Sequence, residues 1–300
     1  MYKRILVPLD GSYLAEIALP YAEEIACYLN SDVTLIRVAE SEDDTYDHMH
    51  RVYIDKMVEV TRQNLQKFHE KIGGEPINVN SVFLAGNVAE EIVDYAENQQ
   101  SGLIIMATHG RSGIRRWLLG SVASKVVSAT EQPVLLIRAK KKDAIPKGHK
   151  KRLIKKILVP LDGSKVSEAV IPYIMELASR LKAEVTFFHV IAPVYFFYSI
   201  PGEAVNRSYS PEDMINLMTR NETYLDTVGV EFKDKGIKTK SKVVVGVPAD
   251  EIIRTADETR ADVVAMSTHG YSGINRWTLG STADKVLHAG NTPLLLVRPH

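Results

Sequence analysis

The sequence predicts an α/β fold made of two doubly wound, five-stranded parallel-sheet domains that follow each other along the chain. Short apolar runs alternate with segments of helical periodicity throughout the sequence. These runs are apolar at almost every position, which is typical of parallel strands covered by helices on both faces. Right-handed crossovers then produce the doubly wound arrangement. The same order of elements occurs twice, so each domain is one copy of a repeat.

The repeat is visible in three stretches of sequence. Lys3–Ser12 recurs as Lys155–Ser164. Two further stretches recur at a slightly larger offset, Ala107–Ser121 as Ser267–Ser281 and Pro133–Arg138 as Pro293–Arg298. The second copy therefore contains eight more residues than the first between these points. We expect them after the second strand, because Ile191–Pro211 is longer and more aromatic than Ala39–His50.

Each copy is predicted to alternate strands with helices. In the first copy the elements are the strands Ile5–Leu9, Val33–Val38, Ile77–Leu84, Leu103–Ala107 and Val134–Ile137, and the helices Ser12–Leu29, Arg51–Lys71, Val88–Asn98 and Ser121–Ala129. In the second copy they are the strands Ile157–Leu161, Val185–Val190, Ile237–Val245, Val263–Ser267 and Leu294–Val297, and the helices Lys165–Leu181, Pro211–Lys235, Ala249–Thr259 and Ser281–Ala289. Apolar runs identify the strands, and Ser12 is a residue that caps a helix. Pro20 and Pro172 lie inside the first helix of each copy, so we expect a kink or a late start there.

Composition and charge limit the class of protein. A chain of 300 residues with 45% hydrophobic and 25% charged residues is long enough for two globular domains. The predicted boundaries are residues 1–139 for the first domain, 140–154 for a basic linker and 155–300 for the second domain. The formal net charge is zero, which disfavours a polyanion binder. No aromatic residues interleave with the linker lysines, so a solvated tether is favoured over a nucleic-acid contact.

Several features favour a cytoplasmic protein. Cys27 is the single cysteine, so no intramolecular disulfide is available, and we interpret it as a small core residue. Pro8 and Asp10 come too early for a signal-peptide apolar region. No apolar run approaches the length of a membrane span.

The loop after the fourth strand carries the first candidate binding residues. Gly110, Gly113 and Gly120 allow close backbone approach, and Gly120–Ser121 opens a helix whose free N–H groups favour an anion. The arrangement returns in the second copy at Gly270, Gly273, Gly280 and Ser281. A single copy of this loop could equally be explained by ordinary turn glycines. Two copies with the same spacing favour phosphate binding. No Gly-Lys-Ser/Thr sequence occurs, which argues against a Walker A loop.

Asp10 and Asp162 follow the first strand of each copy. A carboxylate there accepts hydrogen bonds from an exocyclic amine or a sugar hydroxyl. The equal alternative is an Asx turn or a helix cap. His109 and His269 are favoured as turn histidines.

The whole chain resembles a tandem universal stress protein. The resemblance rests on I-L-V-P-L-D-G-S, on T-H-G-R-S-G-I-R-R-W-L-L-G-S-V-A and on P-V-L-L-I-R, each of which is present, with some changes, in both copies. It implies the strand order 3-2-1-4-5 and a nucleotide motif in which Gly110 or Gly270 is followed by nine residues and then Gly-Ser. It also implies that Asp10 and Asp162 contact adenine or ribose. The candidate cofactor-binding residues are Pro8, Asp10, Val38, Ala107, His109, Gly110, Arg111, Gly113, Gly120 and Ser121 in the first copy, and Pro160, Asp162, Val190, Ser267, His269, Gly270, Gly273, Gly280 and Ser281 in the second.

Two features of the motif differ from the family pattern or between the copies. Ala107 and Ser267 replace its first glycine, where a side chain would crowd the ribose or the phosphates. The phosphate end carries Arg111, Arg115 and Arg116 in the first copy and Tyr271, Asn275 and Arg276 in the second. The first site is therefore expected to prefer a triphosphate over a monophosphate more strongly.

Three functions are compatible with these motifs. The first is a stress-response sensor or regulator that binds ATP or AMP, with Mg²⁺ or Mn²⁺ arriving on the phosphates. The second is slow ATP hydrolysis or phosphotransfer, which ranks below binding because no general base is poised by the sequence. The third is a nucleotide-free scaffold, favoured by Ala107 and Ser267. No catalytic residue and no protein metal site are assigned.

The last strands begin at Pro133 and Pro293 and are almost wholly apolar. In the expected strand order they lie at sheet edges, where an exposed apolar strand is a pairing site. We expect the two copies to pair there as a pseudo-twofold unit. A homodimer of the whole chain and an unknown protein partner stay open, a membrane is not expected, and nucleic acid is disfavoured.

Overall fold

The computed structural model describes residues 1–40, 47–73, 75–108, 119–138, 152–193, 196–200, 203–207, 210–268 and 279–299. The first copy contains β1 (Arg4–Pro8), α1 (Tyr13–Glu16), α2 (Leu19–Leu29), β2 (Asp32–Ala39), α3 (Asp47–Ile72), β3 (Val79–Ala85), α4 (Val88–Asn98), β4 (Leu103–Ala107), α5 (Ser121–Ala129) and β5 (Val134–Ile137). The second contains β6 (Lys156–Pro160), α6 (Lys165–Glu168), α7 (Ile171–Leu181), β7 (Glu184–Ile191), β8 (Phe196–Ile200), β9 (Glu203–Arg207), α8 (Pro211–Asp234), β10 (Thr239–Val245), α9 (Pro248–Thr259), β11 (Val263–Ser267), α10 (Ser281–Ala289) and β12 (Leu294–Val297).

Ten strands form one continuous sheet in the order β10-β7-β6-β11-β12-β5-β4-β1-β2-β3. Within each copy the strands are parallel and follow the order 3-2-1-4-5 that the resemblance implied. The copies join where β5 and β12 pair antiparallel, with Leu135 opposite Leu295. The expected pairing of the two apolar edge strands is therefore confirmed, and it merges the two predicted sheets into one.

Helices cover both faces of the sheet and create two apolar layers. One layer lies under α2, α3, α7 and α8, and it includes Ile5, Phe187 and Phe232. The other lies under α4, α5, α9 and α10, and it includes Phe188 and Leu296. Each layer contains residues of both copies, because the β5–β12 pair carries the sheet across the junction.

The first predicted helix of each copy is two helices. Ser12 caps α1 by accepting from the backbone N–H of Ala15 at 3.2 Å, and Pro20 stands in the first turn of α2. Proline fits a first turn because no intrahelical partner is needed for its missing N–H. Of the kink or late start expected at Pro20 and Pro172, the late start is confirmed, because α2 and α7 each begin one residue before the proline.

The eight-residue difference in length between the copies is the sum of an insertion and a smaller deletion. Two tyrosines at matching positions show this. The Tyr53 hydroxyl donates to Glu16 at 3.1 Å, and the Tyr224 hydroxyl makes the matching bond to Glu168 at 2.7 Å. The stretch from the end of β2 to Tyr53 is much shorter than the stretch from the end of β7 to Tyr224. After these tyrosines the second copy has the shorter stretch, because Tyr224 is closer to the start of β10 than Tyr53 is to the start of β3.

The second copy is therefore longer before this tyrosine and shorter after it. The expected insertion after the second strand is confirmed, but it is larger than eight residues and a deletion after the tyrosine partly offsets it. An antiparallel hairpin, β8 with β9, occupies part of the insertion. The sequence pattern did not predict these two strands.

A second contact joins the copies on the α2 and α7 side. Glu24 of α2 is fully buried and accepts from the backbone N–H groups of Leu153 at 2.6 Å and Ile154 at 2.9 Å. Glu176 of α7 lies 2.9 Å from the amino group of Met1. Each glutamate thus binds the segment that enters the other copy's first strand. Most of the predicted linker, residues 140–151, lies outside the described residues. No helix in the described part of the chain is both long and apolar enough to cross a membrane.

Candidate functional site

A cavity of about 210 Å³ opens at the carboxyl ends of the strands in the second copy. Strand ends, loops and the first turns of helices supply its lining: Pro160, Leu161, Asp162, Ser167, Phe188, Val190, Pro248, Ile252, Met266, Ser267, Thr268, Gly280, Ser281, Thr282 and Ala283. It lies where β6 and β11 are neighbours and their connections leave toward opposite sides of the sheet. This is the switch point at which doubly wound sheets bind ligands.

The structure brings the described candidate residues of the second copy together. All six line the one cavity, namely Pro160, Asp162, Val190, Ser267, Gly280 and Ser281. The candidates His269, Gly270 and Gly273 lie outside the described residues. Their role in binding stays a prediction.

Sequence reasoning missed the apolar part of the lining. Phe188 stands two residues before Val190 on the same face of β7, and Ile252 stands one helical turn after Pro248 on α9. The two-residue period of a strand and the 3.6-residue period of a helix were the available signals. These periods identify Phe188 and Ile252 as lining residues only after the structure shows that Val190 and Pro248 face the cavity.

The first turn of α10 forms part of the cavity lining. Gly280 occupies the N-cap position, and its N–H donates to the carbonyl of Thr268 at 2.8 Å. The N–H of Asp284 donates to the carbonyl of Gly280 at 2.9 Å, so the helical ladder starts after Ser281, Thr282 and Ala283. The N–H groups of a first turn have no intrahelical acceptor, and together with the helix dipole they favour an anion.

Asp162 also lines the cavity and forms a turn after β6. Its Oδ1 accepts from the N–H of Ser164 at 3.0 Å and from the Ser164 hydroxyl at 2.6 Å. Ser164 in turn caps α6 by accepting from the N–H of Ser167 at 3.1 Å. The Asx-turn interpretation is therefore confirmed. The same residue also lines the cavity, and the ligand interpretation stays a prediction.

The first copy repeats this backbone frame. Asp10 accepts from the N–H of Ser12 at 2.9 Å, and Gly120 caps α5 with its N–H on the carbonyl of Thr108 at 2.8 Å. Pro8 ends β1, Val38 lies near the end of β2, Ala107 ends β4, and Ser121 begins α5. The remaining candidates, His109, Gly110, Arg111 and Gly113, lie outside the described residues.

A histidine supports the cavity turn from the other face of the sheet. The Nδ1 atom of His189 lies 2.8 Å from the carbonyl oxygen of Leu161, which precedes Asp162. A carbonyl only accepts, so Nδ1 carries the proton. The first copy has Arg37 at this position, buried and 3.5 Å from Nε2 of His50. Sequence reasoning predicted a role for neither residue.

Metal and thiol chemistry find little support in the described residues. These contain no group of three or more His, Cys, Asp or Glu side chains placed to hold a metal ion. Burial, with a smaller contribution from Glu23, raises the pKa of the Cys27 thiol to about 12. A thiol that stays protonated at neutral pH is a poor nucleophile.

The comparisons with known proteins agree with the repeat. A sequence model described as the universal stress protein family matches residues 1–138 and again residues 153–298. A universal stress protein of Methanocaldococcus jannaschii is 32% identical over 148 residues, which are 49% of this chain and 83% of that protein. One from Mycobacterium tuberculosis is 23% identical over 301 residues, 98% of this chain and 96% of that protein.

Solved structures show the same fold. The crystal structure of a universal stress protein from Archaeoglobus fulgidus covers 99% of both chains with a TM-score of 0.64 at 22% identity. A shorter universal stress protein, crystallised in complex with cAMP, covers 49% of this chain and 98% of its own, at a TM-score of 0.36 and 22% identity. That likeness is too slight to bear on the ligand of the present chain.

Proposed function

This chain belongs to the universal stress protein family, and we propose that it binds an adenine nucleotide in each copy and acts as a sensor or regulator in a stress response. The two copies are proposed as two domains, residues 1–139 and 155–300, joined by the basic linker 140–154. The observation that carries the proposal is the cavity of the second copy, which six predicted residues line together.

The apolar wall of this cavity suits a nucleobase. Phe188 and Ile252 are almost fully buried beneath it, and Met266 and Val190 stand beside them. Ligand pockets are typically apolar with a few polar groups that fix orientation. Here the polar group at the base or ribose end is Asp162, whose carboxylate accepts from a ribose hydroxyl or an exocyclic amine.

The part of the cavity lined by the first turn of α10 suits phosphate. The first turn of α10 presents the backbone N–H groups of Ser281, Thr282 and Ala283, and Ser281 is exposed. A helix N-terminus binds phosphate through such N–H groups and its dipole. In this proposal the glycine loop before α10 completes the phosphate contacts, and Mg²⁺ or Mn²⁺ arrives bound to the nucleotide.

A binding role is favoured over catalysis. Among the described residues that line the cavity, Asp162 has the only carboxylate, and its Oδ1 holds the turn that caps α6. A general base must reach the proton it removes and be in the right protonation state. Slow ATP hydrolysis remains the second candidate, to be measured as phosphate release from ATP. Turnover that Gly120→Asp or Gly280→Asp abolishes would favour it.

The first test is the content of the gently purified protein. Acid extraction followed by chromatography is expected to recover ATP or AMP at about one or two equivalents, the number of sites proposed. A protein that is empty and also fails to bind added ATP or AMP would refute nucleotide binding and favour the scaffold.

The second test isolates the anion site of the second copy. Gly280→Asp places a carboxylate at the N-cap, where phosphate is proposed, and should weaken ATP binding at that site at least about tenfold. Gly280→Asn is the matched control, because asparagine has the same shape, caps a helix equally well and adds no charge. Equal affinity of the two variants, measured by calorimetry, would contradict a phosphate at this end.

A further inference from the structure

We propose that Arg138 and Arg298 are positioning residues that act across the junction between the copies. Each holds the C-terminal end of the helix whose N-terminal end lies in the other copy's candidate nucleotide site. The inference rests on the proposed function, since it concerns the geometry of the same two sites.

Arg138 follows β5 of the first copy and caps α10 of the second. Its guanidinium donates to the carbonyl of Val286 at 3.0 Å, to that of Leu287, and to that of Thr292 at 3.3 Å. Val286 and Leu287 belong to the last turn of α10, and Thr292 leads into β12. The side chain is largely enclosed, and this burial lowers the pKa of the guanidinium to about 10.

Arg298 makes the reciprocal contact from the second copy. It follows β12 and donates to the carbonyls of Ser128 at 2.7 Å and of Ala129 and Thr130 at 3.2 Å each. These three carbonyls end α5 of the first copy. A guanidinium that satisfies final carbonyls also compensates the negative end of the helix dipole.

The same four segments are connected at the site end. The N–H of Thr268 donates to the carbonyl of Val297 at 2.8 Å, and the carbonyl of Thr268 accepts from Gly280 at 2.8 Å. In the first copy Thr108 donates to Ile137 at 2.9 Å and accepts from Gly120 at 2.8 Å. The residue after Val297 is Arg298, and the residue after Ile137 is Arg138.

These contacts close a ring through both candidate sites. From the N-cap of α5 the ring runs along that helix to Arg298, and from Arg298 through the end of β12 to the N-cap of α10. It then runs along α10 to Arg138, and from Arg138 through the end of β5 back to the N-cap of α5. Helices transmit position along their axis because their hydrogen-bonded turns are stiff. Loss of one arginine therefore frees the far end of the helix in the opposite copy, and the N–H groups that face the phosphate lose their fixed position.

The experiment compares the two arginines in proteins that keep a single site. Gly120→Asp leaves the second site and Gly280→Asp leaves the first, and ATP affinity is measured by calorimetry. With the second site alone, Arg138→Gln should weaken ATP about fivefold and Arg298→Gln less than about twofold, within the range expected for a cation at a helix end. With the first site alone, the order of the two effects should reverse.

A purely structural role gives a different result. Both arginines would then lower the thermal midpoint and reduce the affinity of each site equally, without the crossed pattern. Arg138→Lys keeps the charge near α10 but not the fork of donors, so it should recover part of the affinity. Equal effects of the two arginines, or no effect, in parents that bind ATP would overturn the proposal. Parents that do not bind ATP would instead refute the proposed function.

Discussion

The two copies share one backbone frame but line it differently. In both copies an aspartate turn follows the first strand and a helix starts on Gly-Ser, with matching hydrogen bonds of 2.8 Å from the N–H of the cap glycine to the carbonyl of the strand-end threonine. The lining of the second site carries hydroxyl groups where the first copy has apolar side chains. These pairs are Ser167 with Ala15, Ser267 with Ala107, and Thr282 with Val122. The two copies therefore share the aspartate turns and the helix starts of the candidate sites and differ in the side chains beside them.

The two copies also differ in the charge of the loop after the fourth strand, and here the first copy is the more polar one. The first copy has two more arginines than the second in the loop after the fourth strand, which lies outside the described residues. One site is thus more cationic in its loop, and the other has more hydroxyl groups in its lining. Under the proposed function, the first site is therefore expected to prefer a triphosphate over a monophosphate more strongly than the second.

The largest effect is expected at the aromatic floor of the second site. Phe188 is fully buried, and the first copy has Ile36 at this position. Phe188→Ala should lower the free energy of unfolding by about 3–5 kcal/mol through lost contacts and a new cavity. Chemical denaturation measures this loss. Ile36→Ala is the matched change, and only the Phe188 variant should also lose ATP affinity at the second site. A loss below about 1 kcal/mol would show that Phe188 is not a packing anchor.

An effect of intermediate size is expected in the choice of nucleotide. With Gly280→Asp the remaining first site should prefer ATP over AMP about tenfold more strongly than the second site does with Gly120→Asp. The reason is that guanidinium groups pair most strongly with the added phosphates. Calorimetric titration of both variants with both nucleotides gives the two ratios. Equal ratios would remove the charge difference as a determinant of specificity.

The smallest effect is expected from exchanging one hydroxyl. Thr282 is half-buried in the first turn of α10 and lines the cavity. Thr282→Val should weaken nucleotide binding at the second site about threefold, near the lower end of what the loss of one hydrogen bond costs. The reciprocal change, Val122→Thr, should strengthen the first site by a similar factor. Changes of the same sign in both copies would mean that the position acts through helix stability instead.

Local sequence patterns were sufficient for the elements near the sites. The strands Leu103–Ala107 and Val263–Ser267, and the helices that begin at Ser121 and Ser281, have the predicted bounds. Their signals are local, because an apolar run, a glycine and a capping serine act within a few residues. The apolar last strands also predicted the junction, since an exposed apolar edge requires a partner.

The crossover between the second and third strands was not predictable in the same way. Asp55 accepts from Ser81 at 3.3 Å, and the matching pair in the second copy is Asp226 with Ser241 at 2.7 Å. Ser81 and Ser241 are separated along the chain by the same number of residues as the two glycine loops. Asp55 and Asp226 are separated by a larger number. A long amphipathic helix repeats its apolar pattern every turn, so several registers look alike in sequence, and packing against the sheet selects one.

The sequence by itself determined the duplication, the α/β class, the positions of the aspartate turns and glycine caps, and the apolar edges that meet at Leu135 and Leu295. Only the tertiary structure decided which apolar side chains floor the cavity, where the inserted residues lie, and that Arg138 and Arg298 cross to the opposite copy. The physical reason is range. Turns, caps and periodic faces depend on neighbours within a few residues, whereas a cavity lining or a cross-copy cap joins side chains that are far apart in the chain and meet only when the sheet is complete.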